Sequence, residues 1–474
     1  MLRYCLFILL LLSFNTQAKD LVKLKGRIEA HQKDSIEVSY NDNYLAYYPK
    51  KFISKVDKNG NFSCTFPTPP DVYTIVQITY GDKLAEIMVM PGDSLVMSVN
   101  AKHFDSTIKY SGRGSNIQNF LAAHTVQKGR MNQYTLKVRN HLQKEPDAFL
   151  KAIDNELDAE KKFIENWKTP LPASFARYWT AYYQYYNYFF IQQYPQTHQM
   201  LKVRRYTDTI PAANYEVVKG MAVSFNDSLI QVPSYLLYLT GVAETGLRAN
   251  NFTWLGNDTT QMIRFEDSAY KVAYKIMPDK SLEYYMAQSL YGRAKGQRLH
   301  RTEDQLMMFK KRWPQSSYLT LLDKQVGIAK RLAPGQPAPD FEIRKPDGGI
   351  MRLSDLKGKV VYLGFWAGWC RQCVGEMMGE RMVKDLIRKK PLEFVYASIG
   401  TDTAMERMIT EKYNIDGLFT NFVGGWDAKE VQQYGVQSVP AYFLIDEDGN
   451  FATQKAPLPA QTNELIREIE KLFK

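Results

Sequence analysis

Apolar residues recur along this chain with three successive rhythms, and each predicts a different kind of structure. Over residues 21 to about 110 they alternate with polar ones: "GNFSCTF" follows the turn signal Asn59-Gly60, and "DVYTIVQITYGDKLAEIMVMPGDSLVMSVN" alternates around Gly81-Asp82 and Pro91-Gly92. Period two broken by Gly, Pro, Asn and Asp is the pattern of short strands joined by turns. Phe62, Cys64 and Phe66 then share one strand face, which makes Cys64 a small buried hydrophobe. From about 115 to 332 the spacing becomes three or four residues, as in "SFARYWTAYYQYYNYFFIQQY", where Phe175, Trp179, Tyr182, Tyr186 and Phe189 line one helical stripe. Such a stripe packs a core; lining a binding groove is the alternative.

The segment "APGQPAPDFEI" then punctuates the chain. Beyond it the pattern predicts a strand and turn ("FEIRKPDGG"), an apolar strand ("KVVYLGFW"), a helix, a second strand ("LEFVYASIG"), a helix ("AMERMITEKYN"), a hairpin ("VPAYFLIDEDGNFA", turning at Asp448-Gly449) and a final helix ("TNELIREIEKLF"). Strands alternating with helices give an α/β sheet covered on both faces. The expected organisation is multidomain: residues 1–18 a removable leader, 19–110 a β-rich N-terminal module, 111–332 an α-helical middle region and 333–474 a C-terminal α/β domain.

The first 18 residues set the compartment. Arg3, the apolar core "CLFILLLLSF", and Ala18 with Thr16 two positions before it have the form of an export signal cleaved after Ala18. An uncleaved anchor is the alternative, but the apolar run falls short of the roughly 20 residues that span a bilayer. Cys5 stands at the very start of the apolar core, where a lipoprotein acceptor would follow it. The expected mature chain has no stable membrane insertion and retains three cysteines: Cys64, Cys370 and Cys373. So sparse a set, with one close pair, suits reactive thiols better than a disulfide scaffold.

Charge adds little to the chemistry. The chain carries a formal +11, yet residues 331–474 hold 19 Lys+Arg against 20 Asp+Glu, leaving 42 against 30 upstream. The basic surplus is remote in sequence from the cysteine pair, and with no nucleic-acid-binding signature the chain is not expected to bind nucleic acid.

The pair lies in "FWAGWCRQCVGEM". The apolar strand ends at Trp366, the chain turns at Ala367-Gly368, and Cys370 falls at the start of a helix with Cys373 one turn further in. Unpaired N–H groups and the dipole of a helix N-terminus favour a thiolate, and Arg371 adds positive charge; such settings lower cysteine pKa values from about 8.5 to roughly 3.5–7.5. Cys370 is the expected nucleophile, and Cys373 is placed to close a disulfide and release a partner from a mixed disulfide. A zinc site would need two more ligands, and residues 333–474 contain no histidine and no further cysteine. No metal or other cofactor is expected. A static structural disulfide would close a loop too short to contribute much stability.

These motifs resemble the thioredoxin-fold domain of the TlpA/ResA-like thiol–disulfide oxidoreductases over residues 335–474. The resemblance is carried by "APDFEI", "GKVVYLGFWAGWC", the Cys370-Arg371-Gln372-Cys373 motif, Glu376 and "YGVQSVPAYFLIDEDGN". It implies a disulfide reductase in which Glu376 relays protons to Cys373, a cis Val439-Pro440 bond shapes the loop beside the cysteines, and Trp369, Val439 and Pro440 meet the substrate strand. It implies disulfide-containing exported proteins as substrates, a membrane thiol reductant as electron donor, and the periplasm of a Gram-negative bacterium as location.

Two departures stand out. Arg-Gln replaces the Gly-Pro or Glu-Pro usual between the cysteines, so a redox potential does not carry over; Gly364 stands where thioredoxin has a buried aspartate. The upstream regions resemble the extensions this family carries in Bacteroidetes-type bacteria, with "VMPGDSLVMSV" and "IKYSGRGSNIQNFL" as the shared stretches, and are expected to recognise a partner or mediate oligomerisation. Two rivals remain. A peroxiredoxin-type peroxidase shares the entrance to the fold but would need proline and Thr or Ser where Leu363 and Ala367 stand. An exported binding or scaffold protein would make the redox domain secondary.

Overall fold

Period-two alternation in the N-terminal residues builds two antiparallel-rich sheets facing one core. The computed structural model describes residues 21–473 apart from 42, 46–48, 205–209, 222, 250–258, 297–298, 300, 346–347, 388–389 and 454–455, so the expected leader over 1–18 lies outside the described residues. Eight strands follow: β1 (Leu21–Glu29), β2 (Ser35–Tyr40), β3 (Lys50–Lys55), β4 (Asn61–Pro67), β5 (Thr74–Tyr80), β6 (Lys83–Val89), β7 (Ser94–Asn100) and β8 (Lys109–Arg113). They form sheets of order β4-β1-β7-β8 and β3-β2-β5-β6. On β4 the alternation places Phe62, Cys64 and Phe66 inward, and Cys64 is a free, buried thiol in that core. Each such apolar side chain contributes on the order of 1.5–3 kcal/mol by leaving water.

The helical stretch contains α1 (Ser115–Lys128), α2 (Gln133–His141), α3 (Pro146–Glu165), α4 (Ala173–Val203), α5 (Ala212–Lys219), α6 (Pro233–Ala249) and α7 (Thr259–Ile276). The α4 stripe is largely core: Phe175, Trp179 and Tyr182 are buried, and Trp179 meets Phe120 of α1 edge-on with ring centroids 4.7 Å apart. Beside them His124 Nε2 and Glu160 Oε2 lie 2.7 Å apart, both buried. Two compact units divide the chain, the second beginning at Ala287. The β-rich stretch and α1–α7 fall in the first.

The second unit contains the latter part of α8 (Asp279–Lys295), then α9 (Thr302–Arg312) and α10 (Leu319–Arg331), and a six-stranded mixed sheet of order β10-β9-β13-β12-β11-β14. Its strands are β9 (Glu342–Arg344), β10 (Ile350–Arg352), β11 (Val360–Trp366), β12 (Leu392–Ile399), β13 (Leu418–Phe422) and β14 (Ala441–Ile445). Four further helices are α11 (Arg371–Leu386), α12 (Thr403–Tyr413), α13 (Lys429–Gln433) and α14 (Thr462–Lys471). Alternate residues of the buried strands face opposite sides, so there are two cores. Leu363, Phe365 and Phe443 pack with Ile328 and Leu332 at the end of α10 and Val431 of α13; Tyr362, Tyr396 and Leu444 pack with Met377 of α11, Ile409 of α12 and Leu465 of α14.

The fold is thus a β-rich N-terminal region, a helical middle and a C-terminal thioredoxin-like α/β domain. Two details differ from the sequence pattern. β10, β13 and the five-residue α13 are not signalled by that pattern. The second limb of the terminal hairpin is not a strand: Phe451 makes one bridge to Ile445, and Asn450 turns away to bridge Pro337 at the entrance to the domain.

Candidate functional site

β11 is the strand from which the site is built. Every residue of it is buried, between β12 on one side and β14 on the other. Gly364 sits opposite Tyr396 and Tyr442, and a Cβ there would stand 2.6 Å from the Tyr442 ring, so only glycine admits that ring. Beyond Trp366 the chain turns: the Gly368 N–H donates to Thr401 Oγ1 at 2.9 Å and the Cys370 N–H to the Ala367 carbonyl at 2.9 Å. These bonds deliver Cys370 to the N-cap of α11.

Cys370 and Cys373 are joined as a disulfide, with S–S 2.09 Å and Cα atoms 5.3 Å apart. Cys370 Sγ accepts the Cys373 N–H at 3.1 Å, the bond an N-cap residue makes with the third residue of its helix. The two cysteines have unequal access: the Cys370 residue retains 7% exposure and Cys373 none. Trp369 projects beside them and is 68% exposed. Across the site the Val439-Pro440 peptide is cis, and Val439 packs against the cluster that contains both cysteines. That loop is held from behind, because Gln437 Nε2 donates to Gln325 Oε1 of α10 at 3.0 Å.

Glu376 lies one turn beyond Cys373 on the buried face of α11, and its Oε2 accepts the Ala460 N–H at 2.9 Å. The residues singled out from sequence are therefore in one region: Cys370, Cys373 and Glu376 on α11, Trp369 on the turn before it, and Val439 packed against the core cluster that includes both cysteines, with Pro440 following.

Beside Glu376, which the resemblance implies as the proton relay, the structure places a second carboxyl group on the same face of α11. Glu380, a further turn along α11, is wholly buried. The Tyr396 hydroxyl donates to its Oε2, and the Tyr442 hydroxyl stands beside it. Burial pushes its proton affinity up to about 8. Burial likewise depresses Lys384 one turn further on, while Tyr362, Tyr396 and Tyr442 are pushed well above the ordinary phenol range. The helical spacing Cys373, Glu376, Glu380 was visible in the sequence; the tyrosines that receive Glu380 come from separate strands.

Residues 333–463 match the Redoxin family. Thiol-disulfide oxidoreductase ResA of Geobacillus thermodenitrificans is 31% identical over 118 residues, 25% of this chain and 66% of that protein. ResA of Bacillus cereus is 31% identical over 153 residues, 32% of this chain and 85% of its own length. Thioredoxin-like protein YneN of Bacillus subtilis is 33% identical, over 28% of this chain and 74% of that protein. The chain belongs to the ResA-like thiol–disulfide oxidoreductase family. Thiol–disulfide exchange is accordingly the chemistry of its C-terminal domain. Among solved structures, the thioredoxin domain of a thiol-disulfide oxidoreductase from Bacteroides vulgatus is 22% identical, covering 30% of this chain and 99% of that one with a TM-score of 0.27.

Proposed function

We propose that this member of the ResA-like family is an exported reductase of protein disulfides, with Cys370 as attacking thiolate and Cys373 as resolving thiol. The observation that carries the assignment is the unequal exposure of two linked cysteines at the first turn of a helix: Cys370 is the more accessible residue, and Cys373 is wholly buried. The N-terminus of α11 favours negative charge at that sulfur.

In the reduced protein, Cys370 S⁻ attacks a substrate disulfide R–S–S–R′, forming Cys370–S–S–R and releasing R′–S⁻. Cys373 S–H then gives its proton to the Glu376 carboxylate. The Cys373 sulfur attacks Cys370 Sγ, and R–S⁻ leaves and takes up a proton from water. A dithiol donor then reduces the pair and becomes a disulfide itself; one of its protons goes to Cys373 and Cys370 is left as the thiolate, while Glu376 returns its proton to water. Trp369 and the Val439-Pro440 loop form the edge on which the substrate strand lies.

The periplasm of a Gram-negative bacterium is the proposed location, on the strength of the export-type leader over residues 1–18. Among the described residues no helix is long and apolar enough to cross a membrane. Disulfide-containing exported proteins are the proposed substrates and a membrane thiol reductant the proposed donor. The β-rich and helical regions are assigned to partner recognition or self-association, following the division at 19–110, 111–332 and 333–474. The test is the midpoint potential of the couple, taken with turnover of a disulfide-bonded peptide under a dithiol reductant. A potential low enough to reduce that peptide, with turnover lost in Cys370→Ser, supports a reductase. A strongly oxidising potential would reverse the direction.

A further inference from the structure

Glu380 has no part in the exchange described above, yet its position is costly. It lies on the buried face of α11 with Cys373 and Glu376, seven residues beyond the first and four beyond the second, and none of it reaches solvent. A carboxyl group withdrawn from water needs its lone pairs satisfied. Here satisfaction is partial: Tyr396 donates to Oε2, whereas Oε1 is buried with no hydrogen bond of good geometry, although the Tyr442 hydroxyl stands beside the carboxyl group. The titratable groups facing it are Tyr362 from β11, Tyr396 from β12, Tyr442 from β14, and Glu376 and Lys384 from its own helix. Lys384 is the cation among them, and its ammonium is also engaged by the Asp416 carbonyl and lies 4.6 Å from the centre of the Phe394 ring. Burial keeps the proton on Glu380 up to about pH 8.

We infer that Glu380 is an internal proton-binding site coupled to the cysteine pair, taking up a proton when Cys370–Cys373 is reduced and releasing it when the disulfide forms. The inference rests on the pair being the reversible couple proposed above. Reduction by a dithiol breaks the S–S bond and oxidises the donor to its own disulfide. Of the donor's two protons, one stays on Cys373 and Cys370 remains a thiolate; where Glu380 was ionised, it takes the second. The new negative charge, on Cys370, lies roughly 15 Å from Glu380 along the helix, with Glu376 between them. Like charges at that separation in a protein interior raise proton affinity by on the order of one pH unit. By linkage, the proton on Glu380 favours the reduced state to the same extent. Glu380 touches neither sulfur and is a positioning residue acting through charge.

The test is the midpoint potential of the full chain, equilibrated with dithiothreitol from pH 5.5 to 9.5, together with reduced-minus-oxidised infrared spectra. In the wild type, proton uptake per electron pair should rise, by up to one proton, in a window from about pH 8 to roughly one unit above it. Glu380→Gln should remove that rise and leave the thiol-dependent steps in place. Tyr396→Phe, which deletes the donor to Oε2, should move the window to higher pH without abolishing it. Within the window the infrared spectra should show a carboxylic acid band gained on reduction, absent in Glu380→Gln. Superposable curves in wild type and Glu380→Gln, curves differing only by a constant offset, or no carboxyl band in the wild type would overturn the inference while leaving the exchange intact. A chain that accepts no electron pair reversibly would contradict the proposed exchange instead.

Discussion

Glu376 and Ala460, 84 residues apart in sequence, are joined by a 2.9 Å hydrogen bond in which the carboxylate Oε2 accepts the backbone N–H. The bond fixes the carboxylate one turn beyond Cys373, between α11 and the loop that leads into α14. A carboxylate held there is oriented before any substrate arrives, which is what a proton acceptor for the buried thiol requires.

Glu376→Gln keeps an oxygen able to accept the Ala460 amide while removing the basic group. Release of a trapped partner from Cys370 should slow by roughly 10²-fold, and the dependence of that rate on pH should change. Stopped-flow release from a preformed mixed disulfide measures both. An unchanged rate and profile would take Glu376 out of the mechanism.

Glu380 makes stability depend on pH with a definite sign. Its folded value of about 8 stands above the ordinary 4.5, so the native state holds a proton that the unfolded chain has lost. Its contribution is fully present below about pH 4.5 and is lost as pH rises from there through about 8. The loss should be on the order of a few kcal/mol. Denaturant unfolding of wild type and Glu380→Gln at pH 5 and pH 8.5 isolates it, since the variant should fall less across that interval. Equal slopes would show that Glu380 ionises normally in the folded protein.

Gly364 is required by the Tyr442 ring. Gly364→Ala would place a Cβ 2.6 Å from that ring and should cost about 1–3 kcal/mol through overpacking. Adding Tyr442→Val should relieve part of the cost, whereas Tyr442→Phe, which keeps the ring, should not. The midpoints of denaturant curves for the single and double variants give the coupling directly.

In the first unit, His124 and Glu160 lie 2.7 Å apart within an aromatic core. Removing one partner leaves the other buried without its hydrogen bond, so Glu160→Ala should destabilise by about 1–3 kcal/mol. Replacing both with apolar residues of similar volume should cost far less. A Glu160→Ala variant as stable as wild type would mean that solvent reaches the pair.

Much of this arrangement is legible in local pattern. The seven buried residues of β11, the turn at Ala367-Gly368 and Cys370 opening a helix all follow from adjacent residues in "KVVYLGFWAGWC". The same holds for α12 and α14, whose periodicity is intact, and for the strand β4 around Cys64. β13 was missed because "LFTNF" is five residues long and buries only Thr420 and Phe422, too few positions to show a rhythm. The last hairpin limb does not form as a strand because Asn450 bridges to Pro337, more than a hundred residues upstream, a pairing that no local pattern signals. Glu380 carries no local sign of its burial: Tyr396 and Tyr442 reach it from strands whose pairing with β11 is nonlocal.

The assignment of roles to the two cysteines is tested most directly by trapping. Reduced Cys373→Ser and Cys370→Ser variants are each incubated with a disulfide-bonded peptide, and the products are read by intact mass with mapping of the bridged residue. Cys373→Ser should accumulate the peptide on Cys370, because the more accessible cysteine attacks and nothing resolves the product, while Cys370→Ser should accumulate none. Accumulation on Cys373 in the Cys370→Ser variant, equal to or above that on Cys370 in the other, would contradict that assignment.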